Sequence, residues 1–277
     1  MFLKTSQLPK VRTPGVGHSS SWAFSLIELL VVIALIGVLA AVGLPALKGF
    51  GRGNAMNGAV RQVLDDLALA RLSALNSRTR VSVIFLPPMD PAILDSYRGS
   101  SNAYQTLRNI FDGQMASYAI VTERTVGDQP GRNNPRFIQG WRRLPDGVIF
   151  APWSFLAKPP NAGVDERLHP FLYQNHIPFP TDDGPSGLGT MAVPCLVFSP
   201  MGQIETHPVQ EAWRGSPDRV LTLVPGSVLV ARDDANMPIS VDLPPLVRRD
   251  DRSYEETRVQ ITGLTGRAAV EPTVFGP

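Results

Sequence analysis

The sequence predicts an α+β protein in which a long hydrophobic N-terminal helix precedes a mostly antiparallel β-sheet domain. Two patterns near the start support the helix. Leu29 to Leu47 holds 19 consecutive residues without a charge, and apolar residues then recur at three- and four-residue spacing up to Leu75. Beyond residue 80 the chain changes to short runs of strand-forming residues separated by glycine and proline, which predicts the sheet.

Composition narrows the classes of function. The 277-residue chain has 26 basic and 24 acidic side chains, a net charge of +2, so no strong positive field favours nucleic acid. Its single cysteine, Cys195, excludes an internal disulfide framework. Glycine and proline number 24 and 26, and most follow residue 86, which predicts short strands joined by long turns.

The first 48 residues are typical of a leader followed by a membrane span. Residues 1–23 carry Lys4, Lys10 and Arg12 and no acid, which indicates a basic leader that stays cytoplasmic. A helix of about 19 residues is roughly 28 Å long, close to the hydrocarbon thickness of a bilayer. Residues 24–48 are therefore predicted to form a transmembrane helix.

Glu28 lies near the start of this apolar stretch and needs an explanation. A cleaved secretory signal has a shorter apolar core, although Leu39–Ala41 resembles a cleavage site. A plain anchor has no use for a carboxylate, which costs about 2.5–3.5 kcal/mol deep in a bilayer. In a third interpretation, cleavage between Ala23 and Phe24 creates an amine that pairs with Glu28 of a neighbouring molecule.

The stretch Ala23-Phe24-Ser25-Leu26-Ile27-Glu28-Leu29-Leu30, with its apolar run and Pro45, resembles the N-terminal motif of type IV prepilins and type II secretion pseudopilins. The resemblance implies a pilin-like fold, leader cleavage between Ala23 and Phe24, and methylation of the new amine of Phe24. It also implies a role for Glu28 in filament assembly and a helix kink at Pro45. The family usually has glycine before the cut, where this chain has Ala23.

Residues 49–80 are predicted to form a glycine hinge and an amphipathic helix. Gly49, Gly51 and Gly53 disfavour a straight helix, and an apolar stripe follows them. Asp65 and Asp66 are expected on the solvated face of this helix. The stripe residues are Met56, Val60, Val63, Leu64, Leu67, Ala70, Ala74 and Leu75.

Residues 81–277 are predicted to form a β-rich globular domain with long surface loops at about 87–116 and 151–193. Strand candidates are Val81–Leu86, Tyr118–Glu123, Gly147–Phe150, Leu196–Ser199, Val220–Val224, Val228–Ala231 and Arg258–Thr262. Short motifs in this region, including the ending Val259–Arg267, are similar to minor pseudopilins of the GspH/FimT type. That family's closing strand pair would place its turn at Gly266-Arg267.

No pattern of catalytic, metal-binding or cofactor-binding residues is visible, so the chain is not expected to be an enzyme. The histidines His18, His169, His176 and His207 have no metal-ligand spacing and are expected at the surface. Cys195 begins a strand and is expected to be a buried apolar residue. The acidic turn at residues 181–187 lacks the alternating ligands of a calcium loop.

The resemblance implies a structural subunit, a minor pilin or pseudopilin, of a pilus-like or type II secretion filament. Implied partners are a prepilin peptidase, other pilin or pseudopilin subunits, an inner-membrane assembly platform and membrane lipid. The predicted location is the bacterial inner membrane, with a cytoplasmic N-terminus and a periplasmic C-terminal domain. The alternative is a single-pass membrane-anchored binding protein that forms no filament.

Overall fold

A computed structural model of the full chain describes residues 25–125, 127–128, 134–156, 166–174, 177–182, 192–205, 218–242 and 256–271. Side chains of residues 42–53, 101 and 166 lie outside this description. The chain divides into two compact units between Lys48 and Gly49. The leader predicted at residues 1–23 lies outside the described residues.

Three α-helices and eleven β-strands form the described part of the chain. The helices are α1 (Leu26–Ser77), α2 (Ile93–Ser96) and α3 (Ser101–Ile110). The strands are β1 (Val81–Phe85), β2 (Ser117–Thr122), β3 (Arg136–Arg143), β4 (Val148–Phe150), β5 (Leu172–Gln174), β6 (Val193–Phe198), β7 (Arg219–Pro225), β8 (Leu229–Arg232), β9 (Pro238–Asp242), β10 (Thr257–Ile261) and β11 (Ala268–Val270). Short 3₁₀ helices occupy Phe111–Gly113, Pro152–Phe155 and Glu166–Leu168.

The second unit is built on a five-stranded sheet in the order β3-β2-β1-β6-β5, and all its strand pairs are antiparallel. Its central strand β1 is buried at every position because both sheet faces are covered. Val83 and Phe85 face a core shared with the later half of α1, whereas Ile84 faces a second core. Alternating side chains of one strand thus serve two cores.

A four-stranded antiparallel sheet, in the order β11-β10-β7-β4, completes the first core. The turn between β10 and β11 contains Gly266 with φ +63°. A Cβ at Gly266 would lie 2.0 Å from the carbonyl oxygen of Gly202, so only glycine fits this contact. Arg71 of α1 donates to the carbonyl oxygen of Thr265 at 2.6 Å and fastens the same turn to the helix.

The segment 87–116, expected as a surface loop, instead covers the outer face of the five-stranded sheet. It contains α2 and α3, whose Leu94 and Leu107 are buried with Phe111 in the second core. A separate two-stranded hairpin, β8–β9, packs beside them. There Arg232 lies 2.7 Å from Asp112. The apolar residues of this segment recur at helical spacing, which is why it folds onto the sheet.

The α+β class with antiparallel sheets is confirmed, but the predicted pilin-like fold with a long hydrophobic transmembrane helix at residues 24–48 is wrong. Among the described helices, none combines the length and the apolar character needed to cross a bilayer. The prediction of a single-pass protein of the inner membrane with a periplasmic domain is wrong on the same finding.

Candidate functional site: the apolar start of helix α1

Helix α1 begins with a side-chain cap. The backbone N–H of Glu28 lies 3.2 Å from Oγ of Ser25 and 3.0 Å from the Ser25 carbonyl oxygen. Ser25 is therefore the N-cap and Glu28 the third helical residue, the spacing of a capping box. A carboxylate in the first turn also complements the partial positive charge of a helix N-terminus. Glu28 thus has a local structural role besides the assembly role that the resemblance implies.

The residues after this cap expose apolar side chains all around the helix. Leu29 to Ile33 are five consecutive residues, which at 100° each pass every direction around the axis, and each is at least 43% exposed. A helix that is apolar on all sides is normally covered on all sides. We call this set the apolar collar: Leu26, Ile27, Leu29, Leu30, Val31, Val32, Ile33, Leu35, Ile36, Val38 and Leu39.

The structure describes only some of the other predicted site residues. Ala23 and Phe24, the predicted cleavage and methylation site, lie outside the described residues. Pro45 lies within the helical backbone of α1, and its side chain is outside the description. The helical backbone also continues through Gly49, Gly51 and Gly53. The roles assigned to Ala23, Phe24, Glu28 and Pro45 therefore stay predictions.

In the second unit, the later half of α1 contains a buried carboxylate, Asp66, for which the sequence predicts a solvated position. Asp66 is 4% exposed, whereas its neighbour Asp65 is exposed as expected. The Asp66 carboxylate accepts from the Tyr118 hydroxyl at 2.5 Å and from Nη1 of Arg142 at 2.9 and 3.1 Å. Gln62 donates to the Tyr118 oxygen at 3.0 Å and so extends this network.

This network positions α1 on the five-stranded sheet, because Tyr118 belongs to β2 and Arg142 to β3. Burial, together with the hydrogen bond to Asp66, raises the pKa of Tyr118, so its hydroxyl remains a donor at neutral pH. Both the Ser25 cap and the burial of Asp66 have signals in the sequence. The Ser-x-x-Glu spacing predicts the cap, and Asp66 lies three residues after Val63 and four before Ala70, on the apolar stripe.

The remaining chemically interesting side chains form no site within the described part of the chain. Cys195 is fully buried, as predicted, and burial raises the pKa of its thiol. His169 is buried rather than exposed, because the segment around it packs over the four-stranded sheet. Trp153 packs against the first core, and Trp141 packs against the second. In the described ranges no three His, Cys, Asp or Glu side chains are grouped as a metal site would need.

No family model matches the chain, and comparison with curated proteins and with solved structures found no match either. What the geometry defines is therefore a class: an α+β domain with antiparallel sheets, preceded by a helical segment with an uncovered apolar surface.

Proposed function

We propose that this protein is a structural subunit of a pilus-like or secretion filament, of the minor pilin or pseudopilin kind, that assembles through the apolar collar of α1. The observation that carries the proposal is the exposure of eleven large apolar side chains within one helical segment. Covering them releases on the order of 10 kcal/mol, taking about 1 kcal/mol for each partly exposed side chain. A helix with this surface therefore has a lower free energy when neighbours cover it than when it is exposed to water.

The distribution of these side chains favours a bundle over a simple pair. One neighbouring helix covers a single stripe of α1 and leaves the opposite side chains exposed. Leu30 and Val32 differ by 200° around the axis, so no single neighbour covers both. Several copies packed around each α1 cover the collar on all sides, which is the arrangement of helices in the core of a filament.

Glu28 has two candidate roles in such an assembly, and one substitution separates them. After cleavage between Ala23 and Phe24, the new amine of one copy pairs with Glu28 of another. Glu28→Gln keeps the capacity to cap the helix but removes the charge. Assembly is expected to fail in Glu28→Gln if the ion pair is needed. Ser25→Ala weakens the cap by about 1 kcal/mol and is expected to leave assembly intact.

The decisive experiment is a polar scan around the collar in the full chain. Leu30→Gln, Val32→Gln and Ile33→Gln each place a polar group on a different side of α1. Filament incorporation, measured by co-purification with assembled material, is expected to fall in all three. The matched control is Leu69→Gln, an exposed apolar residue in the later half of α1, which is expected to assemble normally. Loss of incorporation in one collar variant alone would replace the bundle by a helix pair, and loss in none would refute the proposal.

Cleavage and methylation are tested separately by mass spectrometry of the mature chain. Processing by a prepilin peptidase is expected to yield a methylated Phe24 as the first residue. A chain that retains Met1 in assembled material would show that the collar works without processing.

A further inference from the structure

Among the described strands, β11 forms one edge of the four-stranded sheet, and its backbone hydrogen bonds show which groups point away from β10. The N–H of Thr262 donates to the carbonyl oxygen of Arg267 at 2.9 Å, and the N–H of Glu271 donates to that of Arg258 at 2.8 Å. Residues 267 and 271 therefore face β10, and Ala269 between them faces it by alternation. Ala268 and Val270 direct their backbone N–H and C=O groups away from the sheet.

This edge is protected by its length of only three residues, but no charge or bulge lies within the strand. Natural edge strands are very short or carry charges, prolines or bulges, which hinder pairing with another chain. The strand β11 is Ala-Ala-Val, with Ala269 exposed and Val270 45% exposed, and its register with β10 is regular. Charges occur only beside it, at Arg267 and Glu271.

The flanking charges make the edge complementary to itself. In an antiparallel pairing of two copies centred on Ala269, Arg267 of each copy lies opposite Glu271 of the other. In the same register Ala268 lies opposite Val270, and these are the residues whose backbone groups point outward. Each such pair exchanges two hydrogen bonds, so the two-fold contact closes four backbone hydrogen bonds and two ion pairs.

The Glu271 carboxylate has two long ion pairs within its own chain. The carboxylate of Glu271 lies 3.8 Å from Arg167 and 3.7 Å from Arg258, too far for hydrogen bonds. Its Oε2 is buried and has no hydrogen-bond partner among the described residues. The side chain of Glu271 remains 22% exposed, and in this register the exposed Arg267 of a second copy lies opposite that exposed part.

We propose that β11 is a docking edge for a second copy of this chain, paired two-fold and antiparallel about Ala269, so that two four-stranded sheets join into one. This contact lies in the second unit and does not depend on the proposed filament function. A two-fold contact closes on itself, whereas packing of the collar does not need to.

Disulfide capture in the full chain tests the register. Residues 269 of the two copies form a non-hydrogen-bonded pair, whose Cα separation of about 4.5 Å suits a disulfide. Ala269→Cys is expected to give a dimer of twice the 30.1-kDa chain on a non-reducing denaturing gel. The only native cysteine, Cys195, is fully buried and adds no background.

The matched control is Leu229→Cys, an exposed strand position on the β8–β9 hairpin. We expect about tenfold more disulfide dimer from Ala269→Cys than from this control. Equal yields would mean random collision or association through α1, and would overturn the proposal. To separate the two proposals, Ile33→Gln is combined with Ala269→Cys, and the dimer is expected to persist.

Two further variants in the Ala269→Cys background test the chemistry of the edge. Ala268→Pro removes an outward N–H without removing a bond to β10, so the fold is expected to be retained while capture falls. Arg267→Glu places like charges opposite each other and is expected to reduce capture about tenfold, with partial recovery in Arg267→Lys. Unchanged capture in Ala268→Pro and Arg267→Glu, with circular dichroism like the parent, would refute the pairing.

Discussion

Removing either partner of the Asp66–Arg142 pair is predicted to have unequal effects, because the partners differ in exposure. The Arg142 side chain is 48% exposed, whereas that of Asp66 is 6% exposed. Arg142→Met leaves a buried carboxylate with the Tyr118 hydroxyl as its close donor. Breaking a buried pair in this way lowers the free energy of unfolding by about 3–5 kcal/mol. Because the Arg142 side is partly open to water, we expect a loss near the lower end, about 3 kcal/mol, for Arg142→Met. In Asp66→Asn the Arg142 cation can turn into solvent, and the amide oxygen at position 66 still accepts from the Tyr118 hydroxyl, so the cost is about 1 kcal/mol.

Urea unfolding of the full chain, followed by circular dichroism, measures both costs. The double variant Asp66→Asn/Arg142→Met is expected to be about 2 kcal/mol more stable than Arg142→Met alone, since the uncompensated charge is gone. Greater destabilisation by Asp66→Asn than by Arg142→Met, or a double variant no more stable than Arg142→Met, would refute this prediction. Either result would mean that the hydrogen bonds of Asp66, not its buried charge, dominate the network.

Three other predictions concern the second unit. Gly266→Ala forces a Cβ against Gly202 at positive φ and should lower the free energy of unfolding by about 2 kcal/mol or more, measured in urea. Burial raises the pKa of Tyr173 to about 12, so stability should fall as the pH rises from about 10 towards 12, and Tyr173→Phe should lessen that fall in pH-dependent melting. Leu107→Ala should cost about 2–5 kcal/mol by thermal unfolding, and a cost near zero would show that α3 does not cover the sheet.

Strands that carry their own apolar signal were predictable from the sequence. Val81–Leu86 predicted β1, and Val220–Val224 predicted β7 nearly to the residue. β3 was missed because it is an edge strand with arginine at both ends and glycine inside, so its composition reads as a loop. β9 was missed because it begins with Pro238, a residue that strands tolerate only at their ends or edges.

The candidate site was predictable in position but not in detail. The uncharged run after Glu28 pointed to α1, and the structure places exposed apolar side chains there. The run also predicted a transmembrane helix, because hydropathy alone cannot separate a helix covered by lipid from one covered by protein. Asp66 was missed because a charge usually marks a solvated face, and its partners Tyr118 and Arg142 come from strands 52 and 76 residues away.

The position of β1 at the centre of the five-stranded sheet has a consequence for synthesis and refolding. One side of β1 pairs with β2, which follows within about 40 residues, but Val83 on its other side pairs with Leu196, 196 − 83 = 113 residues later. Closing so long a loop costs chain entropy, and no contact between β1 and β6 offsets this cost until the two strands meet. While the chain grows, the β6-facing edge of β1 is therefore open, and its Val-Ser-Val-Ile-Phe sequence has the apolar, uncharged character of an aggregation-prone strand until β6 is made.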